Sequence, residues 1–253
     1  MPTVPPAHDH LEAQHTPQAI AGRLAAATQH SYLSDFVLGA VDGAVTTFAV
    51  VSGAAGAGMS GGVAIILGTA NLFADGLSMA AGNYLSVKSN RQLLEKARAM
   101  EQSHIDEVPD GEREEIRQIF AAKGFEGDLL DQIVEVITRD HQQWIDTMVT
   151  EELGLPRETP DPLRAALVTF AAFAVSGLIP LLPLFVDGLS ATATFVTSAV
   201  ATGLAFLLIG SLKGKVLHRS LVLSALETFF IGGAAATVAF GVGHWLRGLA
   251  AGM

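Results

Sequence analysis

Five long apolar segments, separated by short polar breaks, dominate the hydropathy pattern of this chain. They cover residues 36–58, 62–87, 163–186, 189–212 and 220–246. Each has at least 23 residues, which is enough for an α-helix to cross a hydrocarbon core of about 30 Å at about 1.5 Å per residue. The pattern therefore predicts an all-α integral membrane protein with five transmembrane helices.

The amino-acid composition supports this class over a large soluble protein with buried helices. Apolar residues make up 50% of the chain and charged residues only 16%, against about 25% in a typical soluble protein. The net charge of −10 argues against nucleic acid as a partner. The chain contains no cysteine, which excludes disulfides and thiolate metal sites.

One acidic insert lies between the second and third apolar segments. The window 88–164 holds 10 Lys and Arg and 18 Asp and Glu. We expect residues 88–160 to form a helical domain of three helices: 88–107, which continues span two, 112–123 with Asp110 as its N-cap, and a third from about Gly127 to Leu153. The other parts are then a flexible tail (1–30) and the membrane segments 31–87 and 161–253.

The distribution of cationic residues predicts the orientation in the membrane. Lys and Arg cluster on both sides of the insert and between spans four and five, whereas the opposite loops carry only Asp187. Because cationic loops stay in the cytoplasm, we expect a cytoplasmic N-terminus and insert, and a C-terminus outside the cell or in a lumen. We expect no cleavable signal peptide. We expect the protein in a bacterial plasma membrane, with a vacuolar membrane as the alternative.

Potential metal ligands recur one helical turn apart in the insert. They are the pairs Glu101 and His104, Glu112 and Glu115, and Met148 and Glu152. Carboxylate, imidazole and thioether groups together suit first-row cations such as Fe²⁺ or Mn²⁺ better than Ca²⁺. From the spacing alone, a solvated acidic helix face is the more frequent explanation of such a run of charges.

Ionisable, polar and thioether side chains also occur in or beside the apolar segments. Inserting a charged side chain into the membrane costs about 2.5–3.5 kcal/mol. They are Asp35, Asp42, Thr46, Asn71, Asp75, Met79 and Glu227. Asp42 lies in an otherwise apolar run, and an intramembrane carboxylate is typical of an ion or proton site. Asn71, Asp75 and Met79 form a stripe at i, i+4 and i+8. For Asn71 and for Glu227, which we expect to be buried in span five, helix packing is an equal alternative.

Two small-scale features predict how the spans pack and where one of them breaks. Gly39 and Gly43 form a small-x-x-x-small motif that allows close helix approach. Pro180 and Pro183 predict a break near the outer end of span three.

Five motifs, in order, resemble the vacuolar iron transporter family. They are Asp35-Phe-Val-Leu-Gly-Ala-Val-Asp-Gly, Ala74-Asp-Gly-Leu-Ser-Met-Ala-Ala-Gly-Asn-Tyr-Leu, Val108-Pro-Asp, Glu152-Leu-Gly-Leu and Gly177-Leu-Ile-Pro-Leu-Leu-Pro. The resemblance covers residues 31–247 and implies a five-span homodimer that exports Fe²⁺, and often Mn²⁺, from the cytosol in exchange for protons.

The resemblance also implies roles for individual residues. It places the translocation path on Asp42 and Met79, at the dimer interface, and the cytoplasmic metal ligands on Glu101, Glu112, Glu115, Met148 and Glu152. Two positions depart from the family pattern: His104 and Asn71 stand where the family has acidic residues.

A membrane-anchored di-iron oxidase or iron-storage protein is the alternative hypothesis. Glu101-x-x-His104 is the helical pair that such sites use, and Glu12-x-x-His15 repeats it in the tail. The insert offers three helices where a ferritin-like bundle needs four, and prolines surround the tail pair. The tail histidines are His8, His10, His15 and His30, and we interpret them as part of a flexible, pH-sensitive tail.

Overall fold

The computed structural model describes residues 12–26 and 31–250. These residues form α-helices joined by short turns, and no β-strand occurs among them, which confirms the all-α class. The helices are α1 (Pro17–Ala26), α2 (Leu33–Gly56), α3 (Gly61–Glu107), α4 (Pro109–Ala122), α5 (Gly127–Arg139), α6 (His141–Glu151), α7 (Pro162–Leu178), a 3₁₀-helix (Ile179–Phe185), α8 (Ala191–Val216) and α9 (Leu221–Ala250).

The chain divides into two compact units, which we call the membrane unit and the insert unit. The membrane unit comprises Tyr32–Val87 and Asp161–Met253, and the insert unit comprises Met1–Ser31 and Lys88–Pro160. Helix α3 contributes its first part to the membrane unit and its second part to the insert unit.

The described residues include five helices that are long and apolar enough to cross a membrane. They are Leu33–Gly56, Gly61–Glu107, Pro162–Phe185, Ala191–Val216 and Leu221–Leu246. This confirms the five predicted spans. The predicted break in the third span is also confirmed, because α7 ends at Leu178 and the chain continues as a 3₁₀-helix through both prolines. The Pro180 carbonyl is satisfied by the Ser198 hydroxyl, which donates to it at 2.7 Å.

Glycines bring α2 and α7 into backbone contact in the membrane unit. A Cβ atom on Gly39 would overlap the Thr169 carbonyl oxygen, and one on Gly43 would overlap the Phe173 carbonyl oxygen. A Cβ atom on Gly177 would lie 2.7 Å from the Gly43 carbonyl oxygen. Without hydrophobic driving force in lipid, such close packing is what stabilises helix pairs.

The insert unit has its own apolar core. Buried side chains from α3, α4, α5 and α6 form it, among them Leu94, Ile116, Val134, Trp144 and Met148. Polar contacts of Arg98 join α3 to other parts of the insert unit: its guanidinium pairs with Asp146 of α6 at 2.7 Å and donates to the Arg157 carbonyl at 2.9 Å.

Three details of the insert prediction were wrong. Between Lys88 and Pro160 the structure has four helical segments instead of three, namely the second part of α3, α4, α5 and α6. The third helix is not continuous from Gly127 to Leu153, since it stops at Arg139 and restarts at His141, with Asp140 accepting a capping hydrogen bond from Gln143 N at 3.0 Å. Asp110 is not the N-cap of α4, because Pro109 already occupies its first position and Val108 precedes it as the cap. Proline is well suited to that position, where no intrahelical N–H donor is needed.

The tail contains the helix α1, although the sequence interpretation expects a flexible segment there. Pro17 is the first residue of α1, and the described side chains of this helix are mostly exposed. His8, His10 and His30 lie outside the described residues.

Candidate metal site

Three predicted ligands meet in the insert unit. One ligand atom each from Glu101, His104 and Glu112 lies within 4.8 Å of the other two. His104 follows Glu101 by one turn of α3, and its Nδ1 lies 3.4 Å from a carboxylate oxygen of Glu112 on α4. The turn at Val108 and Pro109 folds α4 back so that Glu112 faces these two residues.

The two carboxylates of this cluster are buried without full compensation. Glu101 is 1% exposed and Glu112 is 3% exposed. One oxygen of each, Oε2, has no hydrogen-bond partner within the described residues. An unpaired buried carboxylate oxygen is costly, and a bound cation is one group that would compensate it.

The electrostatics of the cluster raise the affinity of its carboxyl groups for positive charge. Burial, followed by repulsion from Glu115 and Glu101, raises the pKa of Glu112 to about 7, while His104 acts in the opposite direction. Partial burial and repulsion from Glu115 raise the pKa of Glu152 above its ordinary value. Protons and divalent cations therefore compete for the same oxygens.

The remaining predicted ligands of the insert lie in different environments. Glu115 and Glu152 are exposed and interact electrostatically with the cluster. Met148 is completely buried in the apolar core. The structure thus brings Glu101, His104 and Glu112 together. The carboxylates of Glu115 and Glu152 lie close enough to interact electrostatically with this cluster, and the Met148 thioether lies among apolar side chains.

The predicted path residues lie on α2 and α3 of the membrane unit. Asp42 and Asp75 are half-buried, and their carboxylates interact electrostatically. The Thr46 hydroxyl donates to the Asp42 carbonyl at 2.8 Å, and the Asn71 amide reaches the Thr46 oxygen at 3.5 Å. Met79 is half-buried and packs against the apolar cluster of Val51, Leu72, Phe173 and Leu181.

Asp35 and Glu227 are both paired by protein side chains. Asp35 is 7% exposed and accepts a hydrogen bond from Asn83 at 2.8 Å. The expectation that Glu227 is buried was wrong: its side chain is 55% exposed and pairs with Lys213 of α8 at 2.9 Å. The two residues face each other because α8 and α9 form a hairpin.

Sequence reasoning missed Asn83, although a signal for it was present. Asn71, Asp75 and Met79 are spaced by four residues, and Asn83 is the next position of the same stripe. Its partner Thr169 carried no comparable signal, because a lone Thr in an apolar helix usually bonds to its own backbone.

Comparisons with known proteins agree on one family. The model described as "VIT family" matches residues 33–244. The chain is 36% identical to the "Vacuolar iron transporter" of Centaurea cyanus over 211 residues, which cover 82% of this chain and 85% of the relative. It is 34% identical to "Vacuolar iron transporter 1" of Oryza sativa subsp. japonica over 85% of both chains. It is 32% identical to the "Vacuolar iron transporter" of Toxoplasma gondii over 87% of this chain and 76% of the relative.

Proposed function

This chain belongs to the VIT family, and from that premise we propose that it transports Fe²⁺, and also Mn²⁺, out of the cytosol in exchange for protons. The observation that carries the proposal is the cluster of Glu101, His104 and Glu112, with its two unpaired buried oxygens. The names of the relatives, which are iron transporters, agree with this substrate.

In this proposal the insert collects metal on the cytoplasmic side. The acidic residues of the window 88–164 outnumber the basic ones by 18 to 10, and this excess raises the local concentration of divalent cations. The cluster then holds an ion through two carboxylates and one imidazole. Glu115, Glu152 and the thioether of Met148 complete the proposed donor set.

The proposed path through the membrane follows the polar stripe between α2 and α3. Asp35 receives the ion, and Asp42 with Met79 binds it between the two ends of the spans, flanked by Asn71 and Asp75. A carboxylate and a thioether suit a borderline-soft metal that must lose its water, whereas Mg²⁺ prefers oxygen ligands and retains water. Protonation of the carboxylate from the far side would then release the ion.

We further propose that two copies of the chain form a homodimer in the lipid bilayer, with this path between them. Large apolar side chains of α3 are exposed in the single chain, among them Ile66 at 69%, Phe73 at 61% and Leu77 at 58%. They provide the apolar surface that a second copy or lipid would cover. The proposed location is a bacterial plasma membrane, with the insert in the cytoplasm.

The test is transport by purified protein in liposomes, with wild type compared with Asp42→Asn. We expect Fe²⁺ uptake by the wild type and none by Asp42→Asn. Asp187→Asn is the matched control, since it changes an exposed loop carboxylate outside the proposed path, and it should transport normally. Wild-type uptake that persists in Asp42→Asn would refute this mechanism. Consumption of dioxygen on adding Fe²⁺, without uptake, would support the oxidase instead.

A further inference from the structure

A three-residue hydrogen-bond network joins three helices of the membrane unit. The amide nitrogen of Asn83, on α3, lies 2.8 Å from Asp35 Oδ1 on α2 and 2.8 Å from Thr169 Oγ1 on α7. Asp35 is 7% exposed and Thr169 is completely buried. None of the roles described so far requires Asn83 or Thr169.

The hydrogen-bonding capacities of the three groups fix the orientation of the amide. The Thr169 hydroxyl hydrogen is directed at backbone carbonyls, Ala165 at 3.0 Å and Asp35 at 3.5 Å, so its oxygen accepts from Asn83. A carboxylate can only accept. Both hydrogens of the Asn83 amide are therefore committed, one to each neighbour, and its nitrogen must be the atom that faces them.

This arrangement fixes one carboxylate oxygen of Asp35, Oδ1, and leaves Oδ2 without a side-chain donor among the described residues. An amide donates without adding positive charge, so the carboxylate keeps its full attraction for a cation. A Lys or Arg in this place would cancel that attraction.

Packing of α2 against α7 does not depend on this amide. Gly39 lies so close to Thr169 that an added Cβ would overlap the Thr169 carbonyl oxygen. The backbones of α2 and α7 are therefore already in contact at this glycine. Removing the amide should therefore free the Asp35 side chain while leaving the helices together. This separates a positioning role from a purely structural one.

We propose that Asn83, anchored by Thr169, is a positioning residue for Asp35: it holds one carboxylate oxygen so that the other is presented to the entering divalent metal ion. The inference rests on the proposed function, in which Asp35 receives the ion. Asn83 lies one helical turn beyond Met79, a residue of the proposed path, on α3.

The first test is the concentration dependence of Mn²⁺ uptake by Asn83→Leu in liposomes. Leucine has a similar volume and no donor. We expect KM to rise about tenfold, the effect of losing one hydrogen bond to a charged group, with Vmax within about twofold of wild type because the later steps are untouched. Thr197→Val is the matched control, since that hydroxyl bonds only within α8, and its KM should not change. A wild-type KM in Asn83→Leu would overturn the inference.

A second variant serves in case Asn83→Leu fails to fold. Thr169→Val keeps the shape of threonine and removes the acceptor that anchors the amide, so we expect a smaller rise in KM, about threefold, again at constant Vmax. Thr169→Ser keeps the hydroxyl and should return KM towards the wild-type value. Equal KM values for the Val and Ser variants would overturn the inference.

The decisive readout is the coupling between Asn83 and Asp35. If Asn83 acts through Asp35, adding Asn83→Leu to Asp35→Asn should raise KM no further, whereas adding it to Glu112→Gln should multiply the two effects. Independent effects of Asn83→Leu and Asp35→Asn would overturn the positioning role. Absence of wild-type uptake would instead overturn the proposed function, so the two failures are distinguishable.

Discussion

Metal binding by the insert should weaken about tenfold between pH 8 and pH 6 because of Glu112. Burial and the neighbouring carboxylates raise its pKa to about 7, and a divalent cation binds the carboxylate rather than the acid. For one group with a pKa of about 7, the ratio of protonated to ionised carboxyl is about 0.1 at pH 8 and about 10 at pH 6. The apparent Kd scales as one plus this ratio, which gives the tenfold change.

The same shift predicts how the stability of the metal-free protein depends on pH. Since the pKa of Glu112 is raised in the folded state, its stabilising contribution is complete below about 4.5, the ordinary value, and is lost as pH rises through about 7. The metal-free insert should therefore be less stable at pH 8 than at pH 5. Added metal should reverse this order, because it binds the ionised form.

The assay is calorimetric titration of the purified full chain with Co²⁺ at pH 6, 7 and 8, in an Asp42→Asn background that weakens the membrane site. Glu112→Gln should bind more weakly and show a smaller pH dependence than the unsubstituted insert, because the contribution of this carboxyl is removed. Glu114→Gln is the matched control, because Glu114 lies on the same helix but is exposed and pairs with Arg117 at 3.5 Å. A change of less than twofold in the unsubstituted insert, or an equal flattening by Glu114→Gln, would refute the reasoning.

Three further predictions concern the membrane unit. Met79→Leu keeps the half-buried apolar volume and removes the thioether, so metal competition assays should show weaker selectivity for Fe²⁺ over Mg²⁺ at unchanged helicity. Gly43→Ala should lower thermal stability by about 1–3 kcal/mol through overpacking, whereas Gly53→Ala, with open space around the added methyl, should not; equal melting temperatures would contradict this. Glu227→Gln removes a partly exposed ion pair with Lys213, so stability should fall by less than about 1 kcal/mol and uptake should persist; loss of uptake would give Glu227 a role in transport.

The spans were predictable because lipid leaves few solutions for an apolar chain. Each span must pair its own backbone N–H and C=O groups in hydrogen bonds and must be long enough to cross the hydrocarbon core. The five segments and the break at Pro180 therefore follow from the sequence. The proximity of two of the three cluster residues was equally predictable, since Glu101 and His104 lie one turn apart on one helix. Glu112 comes from the next helix, and its distance to them depends on the turn at Val108 and Pro109.

The features that sequence reasoning missed depend on tertiary contacts or on ambiguous periodicity. Ile137 and Trp144 are seven residues apart, so the apolar stripe stays in phase across the break at Asp140 and hides it. Glu227 was expected to be buried because its own helix is apolar, yet Lys213 on the neighbouring helix supplies a partner. The burial of both carboxylates in the cluster also depends on how α3 and α4 pack against each other.

The measurement that tests the central claim most directly is simultaneous recording of metal uptake and internal pH in the same liposomes, with Fe²⁺ and Mn²⁺ each supplied with and without a pH gradient. The account predicts that an outward proton gradient accelerates uptake and that protons leave as metal enters. The faster of the two ions would identify the preferred substrate. Metal that binds to the protein without entering, or enters without any movement of protons, would contradict the account.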